Sequence, residues 1–153
     1  MVADERIVAR GEKCLTCGRY YDRHVVVEGL IVADGKILLA LRDSFPDKGK
    51  WAMPGGFLDW DETGEEAVLR EIREEIGAAG KVTGLFGVYT DKDAYNFQNV
   101  ALVYTVTVTT NHFSPQVGEV AAVTWFNLDA LPEKIAFNHR EVIEEYKQKY
   151  EVR

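Results

Sequence analysis

The sequence predicts an α+β domain in which helices cover a mixed β-sheet. Valine- and isoleucine-rich runs bounded by turn residues predict strands joined largely by hairpins. Two helical patterns, one strongly capped and one near the C-terminal end, are set among those strands. A length of 153 residues, 46% hydrophobic and 28% charged, suffices for one domain with a real core.

Residues 1–22 are polar, carry Cys14 and Cys17, and read as an N-terminal extension to a domain covering 23–153. Val25 to Ala33 is a β-branched run and predicts a buried strand. Asp34-Gly35 is a two-residue hairpin signal, so Lys36 to Arg42 is the returning strand. The stretch with Pro46, Gly49, Pro54, Gly55 and Gly56 predicts a loop. Thr63 and Glu66 then form a T-x-x-E capping box, Val68, Leu69, Ile72 and Ile76 share one helical face, and Gly77 closes the helix. Lys81 to Thr90, Val100 to Thr109 and Val120 to Asn127 predict three more strands. Asp129 to Leu131 predicts a short helical turn. Arg140 to Tyr150 predicts a terminal helix with Val142, Ile143 and Tyr146 on one side.

The formal net charge of −7 argues against a general nucleic-acid binder, which shows a basic face. It leaves room for a phosphate-bearing small molecule, because bound divalent cations reverse the local field of a carboxylate site. No apolar run approaches the roughly 18 residues of a membrane span. The start lacks the basic-then-apolar pattern of a secretory signal, so a cytoplasmic enzyme is expected.

The chemistry concentrates between Gly56 and Ala78. Glu71, Glu74 and Glu75 stand at i, i+3 and i+4, which places three carboxylates on one helical face. Like charges at that spacing cost about 0.2–0.5 kcal/mol per pair unless something offsets them. Taken alone, the helix fits a solvated acidic face. That reading is favoured on the helix alone; the competing one is a set of hard oxygen ligands for Mg²⁺ or Mn²⁺ shared with substrate phosphates. The full spacing separates the two readings. Gly56, five residues, Glu62, seven residues, then Arg70-Glu71-Ile72-Arg73-Glu74-Glu75-Ile76-Gly77-Ala78 resembles the Nudix box, G-x5-E-x7-R-E-U-x-E-E-x-G-U, where U is a bulky aliphatic residue. All fixed positions are present. Ala78 fills the last aliphatic position with a smaller side chain, which touches local packing and not chemistry.

The resemblance extends to Arg42 and Lys50-Trp51-Ala52-Met53-Pro54-Gly55-Gly56-Phe57, to Val123-Thr124-Trp125-Phe126 with Leu131-Pro132, and to Ala136-Phe137-Asn138-His139-Arg140. It implies the Nudix α/β/α sandwich and divalent-metal-dependent hydrolysis of a diphosphate bond in a nucleoside diphosphate-linked small molecule. By resemblance Glu74, Glu75 and the Gly55 carbonyl are metal ligands, and Glu71 is a further ligand or the base. Arg70 is structural and pairs with a box carboxylate. Glu62 supports the start of the helix or reaches a metal through water, and Gly56 and Gly77 are structural. Many family members draw one more acid from a loop outside the box. Glu119 is the candidate here, with Asp91 and Asp93 as alternatives. Family members are often homodimers.

The box does not name the leaving group. Phe45, Trp51, Tyr95, Phe97 and Phe137 are candidates to stack on a base, although such aromatics are more often core, and Arg42 and Lys50 are candidates for phosphate contact. Of these, Arg42, Tyr95 and Phe97 are taken as substrate-binding. Tyr95 falls where a tyrosine accompanies diadenosine polyphosphates within the family, whereas Gly87-Val88-Tyr89-Thr90-Asp91 looks like the ADP-ribose group. ADP-ribose or a related nucleotide sugar is the expected substrate. The alternatives are a diadenosine polyphosphate or NADH hydrolase, an RNA-end pyrophosphohydrolase, and a non-catalytic nucleotide sensor; the intact box acids speak against the last. Cys14-x-x-Cys17-Gly18 resembles half of a zinc ribbon, a candidate Zn²⁺ element, but a tetrahedral site needs four ligands and only two cysteines are present.

Overall fold

The computed structural model describes residues 23–90 and 98–150, together with Glu12, Lys13, Leu15 and Gly18. The described elements run β1 (Val25–Leu30), β2 (Val32–Ala33), β3 (Lys36–Arg42), β4 (Trp51–Ala52), β5 (Gly55–Phe57), α1 (Gly64–Ile76), β6 (Gly80–Thr90), β7 (Val100–Val108), β8 (Val120–Asn127) and α2 (His139–Lys149). They build two four-stranded sheets. One has the order β5-β1-β7-β6 and is mixed, since β1 pairs parallel to β7 and antiparallel to β5. In the other, β3 pairs antiparallel with β2, β4 and β8. No described helix is long and apolar enough to cross a membrane.

Three expectations change. The run Val25 to Ala33 is not one strand: β1 stops at Leu30, and Val32 and Ala33 pair with β3 in the second sheet. The break passes the chain between sheets, so an unbroken apolar run conceals a change of partner. The stretch read as a loop contains β4 and β5, which are two and three residues long and too short for a periodic signal. Leu128–Asp129 forms a turn closed by the Ala130 amide on the Asn127 carbonyl at 3.0 Å, so no helical turn forms there. The hairpin signal does produce a tight turn, with φ of 50° at Asp34 and 71° at Gly35, matching a primed turn that follows strand twist.

The β3 strand is buried on both faces, and its neighbouring residues divide between two cores. Leu38 joins Val27, Ile31, Val68, Ile72, Ile76, Tyr104 and Val106 under α1. Ile37 and Leu39 join Leu30, Met53, Val103, Val142 and Ile143 beneath α2. Helix α1 is fixed at both ends. Thr63 Oγ1 accepts from the Glu66 amide at 3.2 Å while Glu66 Oε2 accepts from the Thr63 amide at 2.7 Å. Gly77 adopts the left-handed conformation at φ 70° and donates to the Arg73 carbonyl. The helix lies close on β1: a Cβ at Gly29 would stand 2.8 Å from Ile72 Cδ1. Ala78 is fully buried in the same core, so the small residue ending the box is packed.

These contacts set the expected stability losses. Ile72→Ala removes a fully buried side chain that the rigid sheet cannot replace, and lowers the unfolding free energy by about 3 kcal/mol. Thr63→Ala removes the cap and lowers it by about 1 kcal/mol. Urea denaturation of the two variants beside the wild type measures both, and losses of equal size would contradict the packing described.

Candidate active site

The site is built on the outer edge of β5. Alternate residues of the antiparallel β1–β5 ladder bond inward: the Pro54 carbonyl accepts from the Gly29 amide and the Leu58 amide donates to Val25. Gly55 and Phe57 therefore turn their backbone groups outward. The Gly55 amide donates to Glu75 Oε2 at 2.9 Å, and the Phe57 carbonyl accepts from Arg70 Nη2 at 3.0 Å. By the same alternation the Gly55 carbonyl faces this edge. Side chains are excluded here by contact. A Cβ on Gly55 would collide with the Val27 carbonyl, and one on Gly56 would stand 2.5 Å from the Glu71 carboxyl carbon.

Arg70 is the hub of the acids. Its Nε and Nη2 grip Glu62 at 2.9 and 2.7 Å, a bidentate pair, and its Nη1 meets Glu71 at 2.7 Å and Glu74 at 3.2 Å. Glu62 also accepts from the Asp59 amide at 2.8 Å, which ties the loop before α1 to the helix. The Arg70 guanidinium holds the Glu62 carboxyl down at about 2. Its acidic partners in turn raise Arg70 itself. Glu71 is raised by burial, against the pull of Arg70. Glu75 is pushed up to about 8 by desolvation, with the neighbouring charges of Glu71 and Glu119 adding to the effect. Among the described residues Glu75 has no ion-pair partner.

The carboxylates thus face protein donors, and no three His, Cys, Asp or Glu side chains among the described residues converge on one point. The donor set nonetheless fits a hard divalent cation. It is oxygen only, it includes an outward backbone carbonyl, and its most desolvated carboxylate has its charge opposed by burial and by like neighbours.

These groups open into a cleft of about 540 Å³. Glu119 lines it from a loop outside α1, with Oε2 accepting from the Ser44 hydroxyl at 3.1 Å. That loop is fastened to the helix: the Ser114 and Gln116 amides donate to the carbonyls of Ile76 and Glu75, each at 2.9 Å. Arg42 also lines the cleft, with Nε on the Pro46 carbonyl at 2.8 Å and its guanidinium 4.9 Å from the Phe137 ring centre. Phe137 has φ 53° and is held there by its amide donating to Asp47 Oδ2 at 3.0 Å. Phe45 and Phe137 border the cleft, whereas Trp51 packs edge-on against Phe126 in the core. Lys50 pairs with Asp47 at 2.6 Å. Tyr95, Phe97, Asp91 and Asp93, and the two cysteines Cys14 and Cys17, lie outside the described residues.

Sequence reasoning overlooked three groups. Glu28 sits in β1 with 9% of its surface exposed, and its Oε1 lies 2.9 Å from His139 Nε2. His139, which opens α2, accepts the Met53 amide on Nδ1 at 3.0 Å, so Nε2 carries the proton that Glu28 receives. Asn99 stands beside the start of β7 and also lines the cleft. The signal for Glu28 was available, because it is the single charge in an otherwise apolar run. His139 stood in the Ala136–Arg140 segment that carries the resemblance, with nothing there to point to Glu28, and Asn99 carried no signal beyond its residue type.

Comparison with known proteins agrees with this geometry. The NUDIX domain family model matches residues 22–146. The chain is 41% identical over 129 residues to an ADP-ribose pyrophosphatase of Methanocaldococcus jannaschii, covering 83% of this chain and 75% of that protein. Among solved structures, a MutT NUDIX hydrolase from Burkholderia pseudomallei is 37% identical with a TM-score of 0.74, over 80% of this chain and 97% of the other. A NUDIX hydrolase from Nitrosomonas europaea is 28% identical with a TM-score of 0.76, over 92% and 78% respectively. A loop–helix–loop carrying Glu62, Arg70, Glu71, Glu74 and Glu75 against the β5 edge, with this breadth of likeness, identifies the chain as a member of the Nudix hydrolase family.

Proposed function

We propose that this enzyme cleaves the diphosphate bond of a nucleoside diphosphate-linked small molecule, with ADP-ribose or a related nucleotide sugar as substrate. In this reading Glu71, Glu74, Glu75 and the Gly55 carbonyl hold Mg²⁺ or Mn²⁺. The observation that carries it is that Glu71, Glu74 and Glu75 of α1 line the same cleft as Gly55 and Gly56 of β5, with Glu75 bonded to the Gly55 amide, and that this cleft is large enough for a nucleotide. Identity to the archaeal ADP-ribose pyrophosphatase over most of both chains supports the choice of substrate.

When bound, the cation neutralises phosphate charge and lowers the pKa of the attacking water. The chain's own residues supply position and proton transfer. Arg70 holds Glu71 and Glu74 in register, and the Gly55 amide orients Glu75. Arg42, at the cleft wall, meets the phosphate oxygens. Glu119 faces the helix from the opposite loop and takes the proton as water attacks phosphorus. The P–O–P bridge breaks, and two phosphate monoesters leave.

Glu75→Gln is expected to lower kcat on ADP-ribose at least a hundredfold with the fold intact, and chelation of the wild type is expected to abolish turnover until Mg²⁺ or Mn²⁺ is restored. A panel of ADP-ribose, NADH, diadenosine polyphosphates, nucleoside triphosphates and 5′-capped RNA tests the substrate; faster turnover of any other member refutes the assignment. The pH dependence of stability gives a separate check. An acid raised from 4.5 to about 8 favours the folded state when neutral, so its contribution is full below pH 4.5 and lost as pH rises through 8. In chelator, Glu75→Gln therefore melts above the wild type beyond pH 8, and the gap closes on acidification. Parallel melting curves for the two proteins across that range would contradict the desolvation of Glu75.

A further inference from the structure

The cleft continues past the acids along one face of the mixed sheet, and the chemistry of its floor changes there. Val26 and Glu28 of β1 lie on the same face as Ala101 of β7, with Val26 and Ala101 opposite each other in the parallel register. Asn99 is two residues before Ala101 and shares its side of the sheet. The floor is thus apolar at its centre, with a polar side chain towards each end.

Both polar side chains hold an unused acceptor. Glu28 Oε2 and Asn99 Oδ1 are buried and have no hydrogen-bond partner among the described residues. A native fold seldom leaves such atoms bare, because each loses water and gains nothing in return. Glu28 is also held still. The carboxyl is oriented by His139 through Oε1, and His139 by the Met53 amide, so Oε2 is left as the free atom in a fixed frame. A second phosphate is a poor occupant for this end, since it carries acceptors and negative charge towards a carboxylate. The complement is an uncharged group that brings hydrogen-bond donors and has an apolar face.

We propose that the strand face of Val26, Ala101, Glu28 and Asn99 seats the uncharged part of the substrate, a sugar or base whose O–H or N–H groups donate to Glu28 Oε2 and Asn99 Oδ1. Glu28 is then a specificity residue for the reaction proposed above. The inference rests on that reading for the presence of a diphosphate at the acids, and adds which chemistry lies beyond it.

The test measures binding of the two halves of ADP-ribose, which needs no turnover. Titration calorimetry of wild type, Glu28→Gln and Asn99→Leu is carried out with AMP, ribose 5-phosphate and inorganic pyrophosphate. Glu28→Gln keeps an oxygen for His139 and replaces the free acceptor by a donor, and Asn99→Leu removes the other acceptor without touching the His139 bond. The expected result is a loss of at least tenfold in affinity for AMP or for ribose 5-phosphate in each variant that folds, with pyrophosphate unchanged. Which half is weakened names the occupant as base-bearing or sugar. Unchanged affinity for both halves, equal weakening of pyrophosphate, or no binding of either half by the wild type would overturn the proposal. If the wild type hydrolyses ADP-ribose but the variants bind normally, the subsite is wrong and the reaction stands. If ADP-ribose is not hydrolysed but a variant loses one half, the subsite stands and the substrate is wrong.

Discussion

Repulsion among carboxylates is the constraint around which this structure is organised. Glu62, Glu71, Glu74, Glu75 and Glu119 all stand at or beside one cleft, and three of them belong to a single turn of helix. One guanidinium answers most of this. Arg70 spends its planar set of donors on Glu62, Glu71, Glu74 and the Phe57 carbonyl, which joins the loop, the helix and the sheet edge at one point. A lysine has the charge but lacks the fork that spans four partners. Glu75 and Glu119 are left outside this arrangement, each with a neutral donor: the Gly55 amide for Glu75 and the Ser44 hydroxyl for Glu119. The residual imbalance is located at the place where a catalytic ion is proposed.

The rest of the domain holds that edge still. Helix α1 is tied down by a reciprocal cap at Thr63 and Glu66, by a left-handed glycine at its end, and by an apolar face locked into the sheet through Ile72. The missing side chain at Gly56 makes room for the Glu71 carboxylate, and the one at Gly55 lets β5 close against the β1 backbone. Position of the carboxylates therefore follows from packing behind them as much as from bonds in front.

The parts of this design that were legible in the sequence are those written in local code. The capping box, the Ile72 and Ile76 stripe, the Asp34-Gly35 turn and the spacing of Gly56, Glu62, Arg70, Glu71, Glu74 and Glu75 each depend on neighbours a few positions away. What was hidden depends on distant partners. Strand β5 is three residues long and exists because β1 offers a ladder; the change of sheet at Ile31 has no turn residue to mark it. The bond between Glu28 and His139 joins residues 111 positions apart, which no periodicity could suggest. A lone carboxylate in a valine run was nevertheless a warning that something polar waited across the core.

The loop carrying Glu119 has its own anchorage. Its amides at Ser114 and Gln116 occupy carbonyls at the very end of α1, including that of Glu75. Only the short segment from Gln116 to Glu119 separates that fastening from the acid it delivers. Just upstream Phe113 packs against the core and Trp125, and on the far side the Asp43 amide donates to the Glu119 carbonyl at 2.9 Å, so a residue added between Gln116 and Glu119 would meet a fixed point on either side. The two halves of the acidic cluster, far apart in the chain, are thus bound to drift together or not at all.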